Sequence, residues 1–200
     1  VTGVQTCALP ISHLARRENY RAGSVGRAAA FSFYPSKHLG AVGSGGMVVT
    51  RDEAVAQQCR ILRNYGAPEK YVHTEFGTNS RLDTIQAAVL NVKLPHLESW
   101  NRDRNSAAEQ YDTQLLLLRD RGIVPMFNHC EDGHVYHLYV IRVTEESPLS
   151  RDDLQHKLGE LGIQTGIHYP IPCHLQPGYK DLGYKAGDFP HTETLSGQIL

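Results

Sequence analysis

The sequence has 200 residues, of which 40% are hydrophobic and 20% are charged, a composition typical of a globular protein with a substantial core. Lys and Arg number 20 and Asp and Glu 21, so the formal net charge of −1 argues against nucleic acid or an anionic membrane as the main partner. No apolar run is long enough to cross a bilayer, and the unpaired spacing of the four cysteines favours a reducing compartment, the cytoplasm: Cys7, Cys59, Cys130 and Cys173.

The first twelve residues, VTGVQTCALPIS, show neither strand alternation nor helix-capping residues. They resemble the translation of a sequencing-adapter oligonucleotide, so we interpret residues 1–12 as an artefact and leave them out of the fold prediction. The alternative is a short N-terminal strand. Because the residues before Leu200 have a helical pattern, we expect the chain to be an internal fragment, truncated at both ends.

Two predicted strands flank a turn that carries a lysine. RAAAFSFYP, residues 27–35, predicts a buried strand, and GSGGMVVT, residues 43–50, predicts a glycine turn followed by a second strand. Lys37 follows the first strand, at the kind of sheet edge where α/β proteins bind ligands. Apolar surroundings lower the pKa of a lysine, which makes its amine a nucleophile towards a carbonyl group. The alternative is a surface lysine whose charge stays in water.

Helical patterns follow these strands. Asp52 is a suitable N-cap for the first helix, Gly66 is its predicted stop, and the polar residues 65–80 predict a long loop. A second pattern begins at Arg81 and restarts at Pro95. The apolar faces predicted to pack are Val55, Cys59 and Leu62; then Ile85, Ala88, Val89 and Val92; and then Trp100, Ala107, Tyr111, Leu115 and Leu118.

The last part of the chain again alternates strands with helices. Residues 119–132 are rich in glycine, proline and charge and predict a domain boundary. HVYHLYVIRV, residues 134–143, predicts a strand, and Ser150 with Asp153 forms a capping box at the start of a helix. IQTGIHYP, residues 163–170, predicts a further strand. This alternation places the chain in the α/β class.

Three long motifs occur in collinear order: FSFYPSKHLGAVGSGGMVVT, FGTNSRLDTIQAAVLNVKLPHLESWN and GIHYPIPCHLQPGYKDLGY. They resemble the DegT/DnrJ/StrS family of pyridoxal-phosphate-dependent nucleotide-sugar aminotransferases, which have the aspartate-aminotransferase-type fold (fold type I). The resemblance implies that residues 13–118 are the C-terminal part of the cofactor-binding large domain, a mixed sheet with helices that includes the long linking helix. Residues 119–200 would then be a smaller α/β C-terminal domain that is incomplete.

The resemblance also implies roles for individual residues. Lys37 matches the lysine that binds pyridoxal 5'-phosphate as a Schiff base and later moves a proton between substrate and cofactor carbons. Ser32 matches a donor to the cofactor phosphate, and Asn79 matches an asparagine that reaches the phosphate in the partner subunit, which implies a homodimer with shared active sites. The implied substrate-binding residues are Arg81, His168 and Tyr169.

Several of these residues have an ordinary structural alternative. Ser32 could be satisfied within its strand, Asn79 could stabilise a turn, and Arg81 could lie on the surface at the start of a helix or meet the cofactor phosphate instead of the sugar nucleotide. His174 and Gln176 are expected to brace the segment that carries the implied sugar-binding residues.

Some parts of the family's site are not found in this sequence. The family's aspartate that pairs with the pyridine nitrogen aligns near Ala8, inside residues 1–12, and the glycine-rich phosphate loop and the aromatic residue that stacks on the cofactor ring would lie further upstream. We therefore expect this chain by itself to be inactive. No metal is expected, because the spacing of the possible zinc ligands matches no tetrahedral signature: His168, Cys173 and His174.

The implied reaction moves an amino group from an amino acid, expected to be L-glutamate, to a keto sugar of a dTDP- or UDP-linked hexose. NSRLD, VKL and IHYPIPCHLQ favour a 3-keto sugar, in the biosynthesis of amino sugars, cell-surface polysaccharides or antibiotic sugars. The alternatives are a 4-keto sugar aminotransferase of the same family and a non-catalytic regulatory relative on the same scaffold. A dehydratase of this fold would have histidine in place of Lys37.

Overall fold

The computed structural model describes residues 13–200, so the assignments made for residues 1–12, including Cys7 and Ala8, lie outside the described residues. The described chain forms two compact units. The first contains residues 13–106 together with Asn128–His137, and the second contains Ala107–Phe127 and Leu138–Leu200. Within the described part of the chain, no helix has the length and apolar character needed to cross a membrane.

Antiparallel hairpins supply the strands of the first unit. These strands are β1 (Arg16–Arg17), β2 (Tyr20–Arg21), β3 (Ala28–Ser32) and β4 (Gly46–Thr50). β1 pairs with β2, and β3 pairs with β4 so that Ser32 lies opposite Gly46. β3 and β4 confirm the two strands predicted on either side of the lysine, and the turn between them carries Lys37.

The helices of the first unit begin within three residues of the predicted starts. They are α1 (Glu53–Leu62), α2 (Thr84–Lys93) and α3 (Leu97–Leu115), and α3 continues into the second unit. The carboxylate of Asp52 caps α1 by accepting hydrogen bonds from the backbone N–H groups of Ala54 and Val55, at 2.9 and 3.2 Å. Pro95 lies in a short 3-10 turn between α2 and α3, so the chain changes helix there as predicted.

The face that α2 turns towards the core differs from the prediction. The core of the first unit consists of Phe33, Leu39, Ala41, Leu90 and Leu97. Leu90 is the buried residue of α2, whereas Ile85 and Val92 of the predicted apolar face are 67% and 72% exposed. At 3.6 residues per turn, Val92 lies about 200° around the helix from Leu90. The predicted apolar face of α2 was wrong because Leu90 packs against residues of the turn after β3. The opposite side of α2 is therefore left in solvent.

The turn that carries the lysine, residues 33–45, is held by α2. Its ends are joined by a hydrogen bond of 2.8 Å from the N–H of Phe33 to the carbonyl of Gly45, and the N–H of Ala41 donates to the carbonyl of Phe33 at 2.8 Å. From α2, Gln86 accepts a hydrogen bond from the N–H of Val42 at 3.1 Å, and the Nζ atom of Lys93 donates to the carbonyl of Gly40 at 2.5 Å. These bonds satisfy the turn's backbone groups and restrict its movement. We call residues 33–45 the lysine turn.

The second unit contains two strands and two complete helices. They are β5 (Ile123–Pro125), β6 (Ile141–Val143), α4 (Arg151–Glu160) and α5 (Pro190–Gln198). β5 and β6 pair antiparallel, with Val124 opposite Arg142. The hydroxyl of Ser150 accepts a hydrogen bond from the N–H of Asp153 at 3.1 Å, which confirms the N-cap predicted for α4.

The prediction of a strand over residues 134–143 was wrong in extent. Within this segment only Ile141–Val143 is a strand. The carbonyl groups of residues 134–136 bond to side chains instead of to a neighbouring strand. The carbonyl of Val135 lies 2.8 Å from Nε2 of His38, and the carbonyl of Tyr136 accepts a hydrogen bond from Arg104 at 3.1 Å. These bonds compete with strand pairing for the same carbonyl groups.

Two other predictions near the end of the chain were also wrong. Residues 163–170 are irregular and mostly exposed, and no described strand pairs with them, although a β-strand requires a neighbour for its backbone groups. The helix near the end of the chain does not continue to the last residue. α5 ends at Gln198, and Leu200 exchanges backbone hydrogen bonds of 3.0 Å with Ile141.

We predict that Gly40→Ala destabilises the first unit by about 2 kcal/mol, because a Cβ atom at this buried position would overlap the carbonyl group of Pro35. The matched control is Gly159→Ala in α4, where an added Cβ meets no atom within 4 Å and a change between zero and about 1 kcal/mol of stabilisation is expected. Denaturant unfolding of the full-length protein measures both changes. Equal free energies of unfolding for the two variants would contradict this account of the lysine turn.

Candidate active site

Lys37 lies on the lysine turn with its side chain partly buried. The turn is closed around it by a hydrogen bond of 2.8 Å from the N–H of Lys37 to the carbonyl of Tyr34. Its Nζ atom lies 3.3 Å from Nε2 of His137, a residue 100 positions further along the chain but in the same compact unit. The amine therefore has a defined polar neighbour, unlike an amine on a freely rotating surface side chain.

Three histidines that interact with one another lie near this amine, and we call His13, His38 and His137 the histidine cluster. His13 and His38 are buried. The ring of His38 lies 5.3 Å from that of His137. The ring of His13 stacks against Phe31 and Phe33, at 5.4 and 5.5 Å between centroids. These contacts place Phe31 and Phe33 on the same face of their segment, as the alternation of side chains along a strand requires.

Burial keeps two members of the cluster neutral. Burial, with smaller contributions from the positive charges of His38, Lys37 and His137, lowers the pKa of His13 from 6.5 to about 4. Burial also lowers the pKa of His38, although its hydrogen bond to the carbonyl of Val135 opposes this shift. Neither ring nitrogen of His13 has a hydrogen-bond partner within residues 13–200. The environment of Lys37 therefore contains polar rings that carry little charge near neutral pH.

Ser32 is the last residue of β3, five positions before Lys37. Its Oγ atom accepts a hydrogen bond from the N–H of Tyr34 at 3.3 Å, and the hydroxyl hydrogen remains a possible donor. Ser32 thus ends the strand that leads into the lysine turn, and it offers a hydroxyl donor where Lys37 offers an amine. A hydroxyl donor and an amine are the groups that a ligand with a phosphate and an aldehyde would require.

Asn79 and Arg81 form a separate exposed group in the first unit. Nε of Arg81 donates a hydrogen bond to Oδ1 of Asn79 at 3.0 Å, and the guanidinium group lies 5.6 Å from the ring centre of Tyr65. Asn79 also forms a backbone bridge with Asn64. The structure therefore brings Asn79 and Arg81 together, but in this chain they bond to each other and to neighbouring loop residues, not to Lys37.

His168 and Tyr169 belong to the second unit and are exposed, with their rings 5.5 Å apart. The bracing predicted for this segment is confirmed. Nε2 of His174 lies 3.0 Å from Oε1 of Glu193, and Nε2 of Gln176 donates to the carbonyl of Ile171 at 3.3 Å. Within residues 13–200, no group of three side chains is arranged to hold a metal ion.

The histidine cluster was not predicted from the sequence. His38 follows Lys37 directly, and His137 lies in the HVYH segment, for which the sequence predicts a strand. The signal that could have found the cluster is the presence of two polar rings, at positions 134 and 137, inside an otherwise apolar segment. That signal shows that the rings need polar partners, but it does not reveal which residue on the chain supplies them.

Comparison with known proteins finds relatives along almost the whole chain. Residues 10–200 match the DegT/DnrJ/EryC1/StrS aminotransferase family. The erythromycin biosynthesis sensory transduction protein EryC1 of Saccharopolyspora erythraea is 50% identical over 186 residues, which cover 93% of this chain and 49% of that protein. A dTDP-3-amino-3,4,6-trideoxy-alpha-D-glucose transaminase of Streptomyces venezuelae is 44% identical over 189 residues, 94% of this chain and 48% of the enzyme.

The fold is also similar to that of a solved structure. The crystal structure of S. venezuelae DesV in complex with a ketimine intermediate superposes with a TM-score of 0.82 at 44% identity, covering 92% of this chain and 48% of that one. This similarity confirms the predicted α/β fold class. The chain spans about half the length of the curated relatives it matches.

Proposed function

The chain belongs to the DegT/DnrJ/EryC1/StrS aminotransferase family, and on that premise we propose that the protein carrying it transfers an amino group to a sugar. The proposed acceptor is a keto sugar of a dTDP- or UDP-linked hexose, and the proposed cofactor is pyridoxal 5'-phosphate. The observation that carries this proposal is Lys37, which lies on a hydrogen-bonded turn and whose amine is 3.3 Å from Nε2 of His137.

Lys37 on the lysine turn and Ser32 at the end of β3 would hold the cofactor, and Lys37 would also move protons. Lys37 would hold it through Nζ, and the hydroxyl of Ser32 would donate a hydrogen bond to its phosphate. The cofactor, when bound, supplies an electron sink for the carbon that exchanges its amino group. After release from the cofactor, Nζ of Lys37 can take up a proton from one carbon and return it to another.

The proposed amino donor is L-glutamate and the proposed acceptor is a 3-keto sugar. The choice of a 3-keto sugar is supported by the relative named as a transaminase of a 3-amino sugar, which is 44% identical to this chain. Arg81 would meet the anionic part of the nucleotide sugar, since a guanidinium group binds phosphate well. His168 and Tyr169 are exposed and would contact the sugar. The setting would be the biosynthesis of amino sugars for polysaccharides or antibiotics.

The proposal includes a homodimer with shared active sites. Asn79 is exposed and does not bond to Lys37 of its own chain, which suits a role towards the partner's cofactor. In the proposed organisation, residues 13–118 belong to the large domain and residues 119–200 to the small domain. A cytoplasmic location is part of the proposal, supported by the free thiols of Cys59, Cys130 and Cys173.

A regulatory protein on the same scaffold is the second candidate. The specific observation in its favour is the name of the relative that is 50% identical, a sensory transduction protein. A protein that has lost catalysis does not need a lysine at position 37, so Lys37 and its contact with His137 favour the enzyme. A 4-keto sugar aminotransferase is the other alternative, since both sugar types require the same lysine chemistry.

Half-reactions of the full-length protein test the proposal. L-Glutamate should remove the visible absorbance of the bound cofactor, and D-glutamate, the control, should not. A dTDP-linked 3-keto sugar should then restore the absorbance at least about tenfold faster than the corresponding 4-keto sugar, because a misplaced carbonyl leaves polar groups of the site unpaired. Faster recovery with the 4-keto sugar would assign the alternative acceptor. No response to any amino acid would favour the regulatory protein.

A further inference from the structure

We propose that His137 positions the amine of Lys37 by accepting a hydrogen bond from Nζ at its Nε2 atom. This inference rests on the proposed role of Lys37 and adds a residue to that site. The two nitrogens lie 3.3 Å apart, and both side chains are partly buried. A neutral lysine amine that donates one N–H to His137 keeps its lone pair directed elsewhere, ready to attack an aldehyde.

The backbone on the N-terminal side of His137 is fixed by three side chains. The carbonyl of Val135 lies 2.8 Å from Nε2 of His38, the carbonyl of Tyr136 accepts from Arg104 at 3.1 Å, and the carbonyl of His134 accepts from Asn105 at 2.8 Å. Val135 itself is buried. The segment that delivers His137 is therefore held in place from both the lysine turn and α3, as a positioning residue requires.

His38 links the two partners mechanically. It is the neighbour of Lys37 in sequence, its ring lies against that of His137, and it bonds to the segment that carries His137. Any displacement of the lysine turn would move His38, and through it the acceptor of the lysine amine. Lys37, His38 and His137 are thus connected to one another: Lys37 and His38 are neighbours in the chain, His38 contacts the ring of His137, and His137 contacts Nζ of Lys37.

Nε2 of His137 can accept this hydrogen bond only while it carries no proton. The positive charges of Lys37 and His137 act on His13, and those of Lys37 and Arg104 act on His38. Burial lowers the pKa of His13, His38 and His134, so these rings add little positive charge at neutral pH. Protonation of His137 would remove the acceptor that Nζ of Lys37 contacts.

Labelling of Lys37 in the cofactor-free, full-length protein tests this role. Formaldehyde with cyanoborohydride methylates the amine, pyridoxal phosphate with borohydride attaches to it, and mass spectrometry of the peptide that contains residue 37 gives each rate. We expect His137→Leu to slow both reactions at Lys37 about tenfold, the value of one hydrogen bond. His137→Gln retains an amide oxygen as acceptor, so its rates should stay within about threefold of the original protein.

The matched control is His156→Leu, which removes an exposed histidine from α4 and should leave both rates unchanged. Unchanged rates in His137→Leu, or equal losses in the Leu and Gln variants, would overturn the proposal. Failure of pyridoxal phosphate to label Lys37 in the original protein would instead reject the proposed function, while methylation would still report on the contact with His137.

A second variant covers the case in which His137→Leu does not fold. His137→Phe keeps a ring beside that of His38 and removes the acceptor, so both rates at Lys37 should fall as expected for His137→Leu. The rates at Lys70, an exposed lysine beside Tyr71, should stay unchanged. Unchanged rates at Lys37 in His137→Phe would overturn the proposal.

Discussion

Lys37→Ala is expected to abolish the visible absorbance of bound pyridoxal phosphate and to lower the rate of amino transfer by about a thousandfold or more. Alanine has no amine, so it can neither hold the cofactor covalently nor carry a proton between carbons. The variant is expected to fold, because the turn is closed by backbone bonds and by Gln86 and Lys93 of α2. The amine of Lys37 contacts the ring of His137 and does not hold the backbone of the turn.

Absorption spectra and mass spectra of the full-length protein provide the measurement. After borohydride reduction, the original protein should carry the mass of one cofactor on the peptide that contains residue 37, and Lys37→Ala should carry none. Lys157→Ala, which removes an exposed lysine from α4, is the matched control and should behave as the original protein does. Covalent cofactor at another lysine in both proteins would show that Lys37 does not have the proposed role.

The second large effect concerns acid. The free energy of unfolding should fall by about 3 kcal/mol between pH 6.5 and pH 4 through His13 alone, since each pKa unit corresponds to about 1.4 kcal/mol. The pKa of His13 is lowered to about 4 in the folded protein, from 6.5. Between these values the unfolded chain binds a proton that the folded chain does not, so acid favours unfolding. Above about pH 7.5 both states are almost entirely neutral, so His13 contributes little further pH dependence.

His13→Phe isolates this effect. His13 is 6% exposed and stacks on Phe31 and Phe33, so a phenyl ring suits the site and removes both ring nitrogens. Denaturant unfolding from pH 7.5 to pH 4.5 should show a shallower loss of stability for this variant than for the original protein. His156→Phe, at an exposed position of α4, should keep the original slope. Parallel curves for His13→Phe and the original protein would contradict the assignment.

Some acid sensitivity should remain in His13→Phe. The pKa values of His38 and His134 are also lowered by burial, so both rings still favour the unfolded state as the pH falls. The prediction is therefore a reduced slope and not a flat one. A double variant that adds His134→Phe should be shallower again, provided that the two sites do not share partners.

Features with a local cause were predictable from the sequence. Asp52 and Ser150 cap their helices because a short polar side chain reaches the N–H groups of the next turn. The strand, turn and strand around Lys37 follow from alternating apolar residues and glycines within about twenty positions. The motifs that identify the family could also be recognised from the sequence, because each is a continuous segment of the chain. The same continuity makes Lys37 and Ser32 recognisable from their neighbours in the chain.

Features with a distant cause were not predictable. The strand predicted over residues 163–170 is irregular because its backbone finds no pairing partner among the described strands. The exposed face of α2 could not be predicted, because the choice between Leu90 and Ile85 depends on which element packs against the helix. The spacing of apolar residues predicts that a helix has an apolar side, but it does not show which side packs against another element.

The sequence by itself determined the α/β class, the family and the lysine on its turn, since each depends on residues close together in the chain. Only the tertiary structure decided that His13, His38 and His137 gather around the amine of Lys37. The physical reason is that Lys37 and His137 are 100 positions apart, and their contact results from the packing of whole elements. The protonation of these rings was decided in the same way, because burial is a property of the folded chain.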